Sequence, residues 1–357
     1  MKTSKKTRHS DVSTLTLRLW EFTGTAALTL FIWIFLLIFL SPLAYMVVTS
    51  LKAPEEFRDS HAPIYPAQAL TYTYQGRTLT LLKVPTDTGV HDWALFKTGR
   101  TSSQFIDPAN PDAGPITWQG SWRSLPGVYR FRINWSNYVN LWNVVDYPRF
   151  LKNTFTIAIL GEIGVLCSSI AVAYGFSRFR IPGGRFLFFL LIATIVIPDS
   201  ITLVPGYYIY THVLHWHGTY YPLIVPFFFG SAIYIFLLRQ NFKSIPRDLD
   251  EAAMLDGAGP LRTLISIILP QAVPAIVTVA MLHFFNSWNE LRMASLYLSI
   301  RPDLQTMAFT AQAVQSYGFT PDSLQASAVV LMAIPLVILF LSQRFFMQDI
   351  VITGLEK

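Results

Sequence analysis

Six stretches of the chain are predominantly apolar over the length of a membrane-crossing helix, near 22–49, 151–176, 185–210, 220–241, 271–296 and 325–346. A bilayer core of ~30 Å needs about 20 helical residues, so each stretch is expected to span a membrane. Pro42, Pro198, Pro205, Pro226, Pro274 and Pro335 fall within or near these spans. Packed membrane helices tolerate such prolines when neighbours satisfy the freed carbonyls, which predicts kinks in a bundle.

The polar stretch 52–150 breaks this pattern and is too long for a plain connection. Within it, the run from Thr71 to Thr80 places β-branched and aromatic residues around Gly76, the pattern of a hairpin. Further strand-like pieces surround Trp93, Trp118 and Trp122. Residues 60–133 are therefore expected to form a small β-rich insert. Its aromatic residues (Tyr72, Tyr74, Trp93, Trp118, Trp122) serve either as its own core or as anchors for a partner.

The expected architecture is an all-α membrane protein of six transmembrane helices with a β-rich extracytoplasmic insert between the first two. The segments are 1–21 (cytoplasmic), 22–50 (first helix), 51–150 (external loop), 151–346 (five-helix core) and 347–357 (cytoplasmic tail). Composition agrees: 52% of residues are hydrophobic and 13% charged, which fits a membrane protein. Lys2, Lys5, Lys6 and Arg8 precede the first span, but its apolar run is too long for a signal peptide, so an uncleaved anchor is expected.

Charge then sets the orientation. Arg178, Arg180 and Arg185 lie in one short connection, and Arg239, Lys243, Arg247 and Arg262 in another. The 211–219 connection carries no Lys or Arg, and 297–324 only Arg301. Basic residues in short loops mark the cytoplasmic side, so both termini and the 242–270 loop are expected inside. Cys167 is the sole cysteine, which excludes an intrachain disulfide. His212, His215 and His217 sit near Trp216 without a carboxylate or cysteine beside them, so a loop surface is expected there, not a metal site.

The 242–270 loop holds the most specific pattern in the chain. Glu251-Ala252-Ala253 is followed by three residues and Gly257, then by nine residues and Ile267-Ile268-Leu269-Pro270. This resembles the cytoplasmic EAA loop of permease subunits from ABC importers. The likeness extends over 20–57 and 134–357, including Ser50-Leu51-Lys52-Ala53-Pro54-Glu55-Glu56, Asn137-Tyr138, Asn153-Thr154-Phe155, Ala173-Tyr174-Gly175-Phe176-Ser177-Arg178, Asn286-Ser287-Trp288-Asn289-Glu290 and Gln343-Arg344-Phe345-Phe346. These are similar to the smaller permease of maltose-type carbohydrate importers; the 60–133 insert departs from that pattern.

The resemblance implies the type I importer fold and import of an oligosaccharide, disaccharide or polyol. It implies as partners a second homologous permease, two ATPase copies, an extracytoplasmic solute-binding protein and membrane lipid; nucleic acid is not expected. ATP and Mg would lie on the ATPase, since this chain has no GxxxxGK[ST] loop and is expected to be neither an enzyme nor a cofactor carrier. Asp248, Glu251, Ala252, Ala253, Asp256, Gly257 and Pro270 would form the ATPase-docking segment, and the tail would reach between the ATPases. Importers of other solutes such as glycerol phosphate, and an ion-coupled carrier, are the alternatives.

Physical reasoning gives that segment a logic. Asp248, Asp250, Glu251 and Asp256 lie near the start of a short helix, where carboxylates favour its dipole and can pair with a partner's Arg or Lys. Small Ala252 and Ala253 allow close approach, while Gly257, Gly259 and Pro260 end the helix. Glu162 and Asp199 lie deep within spans, where a carboxylate usually faces a bundle interior or cavity. They are expected to line a solute pathway or to bond a neighbouring helix. Asn286, Trp288, Asn289 and Glu290 offer planar polar groups and a ring for sugar recognition, or an interfacial anchor.

Overall fold

A computed structural model describes residues 14–54, 56, 59, 61–316 and 321–353. The basic residues Lys2, Lys5, Lys6 and Arg8, together with Glu55 and the tail end 354–357, lie outside the described residues. The chain divides into two compact units, 1–134 and 135–357.

The first unit opens with α1 (Thr14–Ser50), whose apolar side chains are exposed over most of its length. Seven strands follow among the described residues: β1 (Ala67–Ala69), β2 (Thr71–Tyr74), β3 (Arg77–Thr86), β4 (Gly89–Lys97), β5 (Ser102–Ile106), β6 (Ile116–Gln119) and β7 (Tyr129–Phe131). Strands β2 to β6 form an antiparallel sheet in sequence order, and β1 pairs with β7. The β2–β3 turn has positive φ at both Gln75 (49°) and Gly76 (77°), the backbone of the two-residue turn that matches strand twist.

Alternation along the strands gives this sheet two apolar faces. Leu82, Val84, Phe105 and Leu125 are buried together with Trp93, Trp118 and Trp122 packed against them. Leu79, Ala94 and Ile106 are buried with Tyr72 and Tyr74 alongside. All five aromatic residues open to either role thus pack against the unit's own core. Gly120 is held at φ 145° with the Trp118 ring so close that a Cβ would lie 2.2 Å from it.

The second unit is helical: α2 (Ser136–Val144), α3 (Tyr147–Arg178), α4 (Gly184–Val196), α5 (Asp199–Tyr208), α6 (Tyr221–Ile224), α7 (Ala232–Ser244), α8 (Asp248–Leu255), α9 (Pro260–Thr263), α10 (Leu269–Gln271), α11 (Val273–Trp288), α12 (Arg292–Leu298), α13 (Thr310–Ser316) and α14 (Pro321–Thr353). Helix α3 is the centre of the unit. It begins four residues earlier than hydropathy suggests, because the Asp146 side chain accepts the Arg149 amide at 3.2 Å and Pro148 sits in the first turn. Val165, Ala173 and Tyr174 on α3 are buried with Tyr234, Ile235, Leu238 and Phe242 of α7 and Val279 of α11. The connection after α12 is tied to α3 as well: Asn153 donates to the Asp303 and Gln305 carbonyls, both at 2.9 Å.

Among the described residues, four helices are long and apolar enough to cross a membrane, or six if each of two bent pairs is one span. The stretch expected as a single span at 185–210 falls on the first of these pairs, whereas the second starts at Pro260, ahead of the stretch expected at 271–296, which itself breaks between α11 and α12. The chain turns by 92° between α4 and the segment Asp199–Val213, and by 81° between Pro260–Gln271 and α11. Pro198 caps α5 with extended backbone, which ends α4 and redirects the chain.

Candidate functional site

The EAA segment folds as the short helix α8, with Asp248, Asp250 and Glu251 in its first turn. Its end is a Schellman motif: Ala258 donates to the Ala253 carbonyl at 2.8 Å and Gly257 to that of Met254 at 3.0 Å. Gly257 takes φ 77° there, a left-handed conformation that suits glycine. Asp248, Glu251, Ala252, Met254, Leu255, Asp256 and Gly257 are exposed, as is Pro270 at the end of the loop.

Two members of the segment turn inward. Ala253 is buried, so of the two small residues only Ala252 is open to a partner. Asp250 is buried too, and it pairs within the chain with Arg178, Nε to Oδ2 at 3.0 Å, rather than offering its carboxylate outward.

A separate cavity of about 490 Å³ lies among α3, α5, the 222–227 segment, α11 and α12, a size typical of small-molecule sites. Asp199, Asn286 and Glu290 line it, with Tyr210, Arg292, Tyr297 and Thr306. Asp199 stands at the first position of α5, exposed, with Arg292 Nη2 3.6 Å from its Oδ2. One Glu290 oxygen accepts the Met293 amide at 2.8 Å, which caps α12. Thr306 Oγ1 is buried without a hydrogen-bond partner among the described residues.

The remaining expected pathway residues are not among those lining this cavity. Trp288 is 1% exposed, packed with Tyr147, Phe150 and Met307, and its Nε1 donates to the Leu331 carbonyl at 3.0 Å. It is neither a free ring face nor an interfacial anchor; it joins α11 to α14. Asn289 is exposed and donates back to the Phe285 carbonyl at 2.9 Å. Glu162 lies halfway along α3, with Oε1 buried and unpartnered among the described residues.

Arg292, Tyr210 and Tyr297 were not singled out by sequence reasoning. Arg292 carried a signal, as a cation directly beyond the 286–290 cluster. Two residues of the histidine-rich loop make ring contacts: His212 stacks on Tyr208 with centroids 5.0 Å apart, and His217 meets Tyr207 edge-on at 6.1 Å. No group of three or more metal-ligating side chains exists among the described residues.

Long apolar helices, a solute-sized cavity with polar side chains in its lining and a short acidic helix with one exposed face are the features of a membrane permease subunit. Residues 164–354 match the family model described as binding-protein-dependent transport system inner membrane component, and the chain belongs to that family. It is 30% identical over 231 residues to the trehalose/maltose transport system permease MalG of Thermococcus litoralis, covering 64% of this chain and 81% of that one. A probable ABC transporter permease of Pyrococcus horikoshii is 28% identical over 234 residues, covering 64% and 84%. A chain of the bacterial ABC transporter that imports alginate superposes with TM-score 0.58 at 19% identity, over 96% of this chain and 100% of that one. The fold is the helical type I ABC importer permease fold.

Proposed function

We propose that this chain is one of two homologous permeases of an ATP-driven importer for a carbohydrate: an oligosaccharide, disaccharide or polyol. The observation that carries this reading is the cavity, where Asp199, Asn286, Glu290 and Arg292 stand beside the rings of Tyr210 and Tyr297. Sugar hydroxyls meet planar polar groups, and sugar C–H faces meet rings. Relatives named for trehalose/maltose, alpha-glucoside and diacetylchitobiose uptake support the same class. Two carboxylates against one guanidinium in the cavity disfavour an anion such as glycerol phosphate.

In this reading α8 docks on a partner ATPase, which holds ATP and Mg, with the termini on that same cytoplasmic side. Two ATPase copies, a companion permease and an extracytoplasmic solute-binding protein complete the complex, and the insert lies on the outer face. The exposed Glu251, Ala252 and Asp256 face the ATPase, while the Gly257 turn fixes the angle at which the helix is presented. Co-expression with the neighbouring ATPase, permease and binding-protein genes, followed by uptake assays in proteoliposomes, tests this. Uptake of maltose or trehalose that needs internal ATP and loaded binding protein is expected. Uptake driven by a sodium or proton gradient without ATP would instead establish an ion-coupled carrier.

A further inference from the structure

Polar side chains that neither the EAA loop nor the cavity uses adjoin the cavity through Phe227. His283, on α11, is 1% exposed, and neither Nδ1 nor Nε2 has a hydrogen-bond partner among the described residues. Phe227, which lines the cavity, meets its ring edge-on with centroids 4.4 Å apart, and Tyr234 meets it at 6.1 Å. Nε2 lies against α3, where a Cβ on Gly161 would be only 3.0 Å from it. The next residue is Glu162, with its own buried and unpartnered Oε1. Tyr234 links the set: it is buried, close to the Asn286 side chain and near enough to Glu162 to interact with its charge.

Buried polar atoms in folded proteins are nearly always paired, so three unpaired atoms on adjoining stretches of two helices need an explanation. A neutral imidazole presents one donor and one acceptor, and a carboxylate oxygen accepts. A cation satisfies only the acceptors. A hydroxyl both donates and accepts, and so can pair with a donor and an acceptor of the set at once. Asn286 and Phe227 belong to both places: they line the cavity and border the His283 neighbourhood.

We propose that His283 and Glu162, with Tyr234, form a second subsite that takes a hydroxyl group of the transported solute when the Phe227 ring moves aside. The inference rests on the carbohydrate reading above and deepens it. Solute would pass from the Asp199–Arg292 cavity to this subsite, with Asn286 in contact at both stages. Gly161, without a side chain, lets the α3 backbone lie close to the imidazole, where a Cβ would meet Nε2 at 3.0 Å and Phe227 at 3.4 Å.

The full complex, reconstituted in proteoliposomes, is assayed for ATP-driven uptake of radiolabelled maltose, trehalose and diacetylchitobiose. If the wild type takes up none of the three, the sugar reading fails and this subsite falls with it. Where one is taken up, His283→Phe is expected to raise KM about tenfold, the equivalent of one buried hydrogen bond to a hydroxyl. His283→Gln, which keeps a donor and an acceptor, is expected to retain the wild-type KM. Glu162→Leu gives an independent reading if His283→Phe does not assemble, and it too is expected to raise KM. An unchanged KM in these variants overturns the subsite while leaving the sugar reading intact. A lower Vmax at unchanged KM would assign the cluster to an ordered water or to packing, and so also overturns it.

Discussion

Arg178, the last residue of α3, lies with Nε 3.0 Å from Oδ2 of Asp250 in α8, and the two side chains are only 6% and 11% exposed. The pair is a charge contact, not an aligned hydrogen bond, since Nε and Asp250 Oδ1 have no hydrogen-bond partner among the described residues. Around it, Arg178 donates to the Ile245 carbonyl at 3.1 Å, Arg247 to that of Ser177 at 3.3 Å, and Tyr174 to that of Pro260 at 3.1 Å. The end of α3 is thereby fastened to both flanks of α8. These contacts link α8 to the end of α3, which packs against α7 and α11 at the centre of the unit.

Removing one partner of that pair leaves the other charge buried and alone, which costs about 3–5 kcal/mol in comparable sites. Asp250→Ala is therefore expected to lower the thermal unfolding midpoint of the detergent-solubilised chain markedly. The double variant Arg178→Met with Asp250→Leu, which leaves no unpaired charge, is expected to recover most of the loss. A double variant no more stable than Asp250→Ala would show that the pair is not what holds the loop.

Gly257 tests presentation of the helix without touching the core. A Cβ there meets nothing within 4 Å, so the penalty of Gly257→Val comes from the backbone at φ 77° alone, about 1–2 kcal/mol. The Schellman turn should relax and α8 should change its angle. Glu251→Lys instead reverses an exposed charge. Both variants are expected to insert normally but to lose ATPase stimulation by loaded binding protein in proteoliposomes, with uptake falling alongside. Stimulation and uptake at wild-type levels in both would remove α8 from the coupling role.

Hydropathy made the four long apolar helices legible because about 20 apolar residues are needed to cross a bilayer, whatever their neighbours do. The same measure is blind to direction, so Pro198 suggests a kink but not a turn of 92°. Helical geometry hides the rest. Asp250 and Glu251 are adjacent carboxylates, yet successive residues of a helix point about 100° apart. Which of them is buried depends on Arg178, far earlier in the chain. Asn286 and Trp288 likewise lie about 200° apart around α11, so one lines the cavity and the other the core. His283 carried a signal, as an ionisable residue inside an apolar stretch, but only packing shows that its nitrogens lack partners among the described residues. By contrast, the Gln75-Gly76 turn could be read locally, because positive φ at a glycine is a property of the residue itself.

The first unit should respond to alkaline pH through Tyr129. Its hydroxyl donates to an Asp59 carboxylate oxygen. Burial pushes its pKa above the ordinary value of 10.0, with the Asp59 hydrogen bond and the charges of Asp59 and Glu56 adding to the shift. A phenol raised in the folded state contributes stability that is fully present below the unfolded value and is lost as pH rises through the folded one. Near-ultraviolet circular dichroism is expected to show the sheet unit loosening above pH 10, and Tyr129→Phe should flatten that dependence. Identical alkaline transitions in the two proteins would exclude Tyr129 as their source.

Asp199 and Arg292 offer the cleanest separation of function from stability. They approach to 3.6 Å in the cavity, but their side chains are 81% and 53% exposed. An exposed ion pair contributes roughly 0–1 kcal/mol, so breaking it should hardly alter folding. In a solute site the same groups are worth more, because a charged partner strengthens a hydrogen bond to about 1.5–3 kcal/mol. Asp199→Asn and Arg292→Gln are therefore expected to unfold within a degree or two of the wild type. Each should raise the uptake KM by roughly tenfold or more if a sugar hydroxyl bonds there. Glu290→Gln is the control within the same cavity: one of its oxygens already caps α12 through the Met293 amide, so it should combine a smaller KM effect with a measurable loss of stability. Equal KM values for the wild type and for both Asp199→Asn and Arg292→Gln would mean that the solute passes without touching this pair.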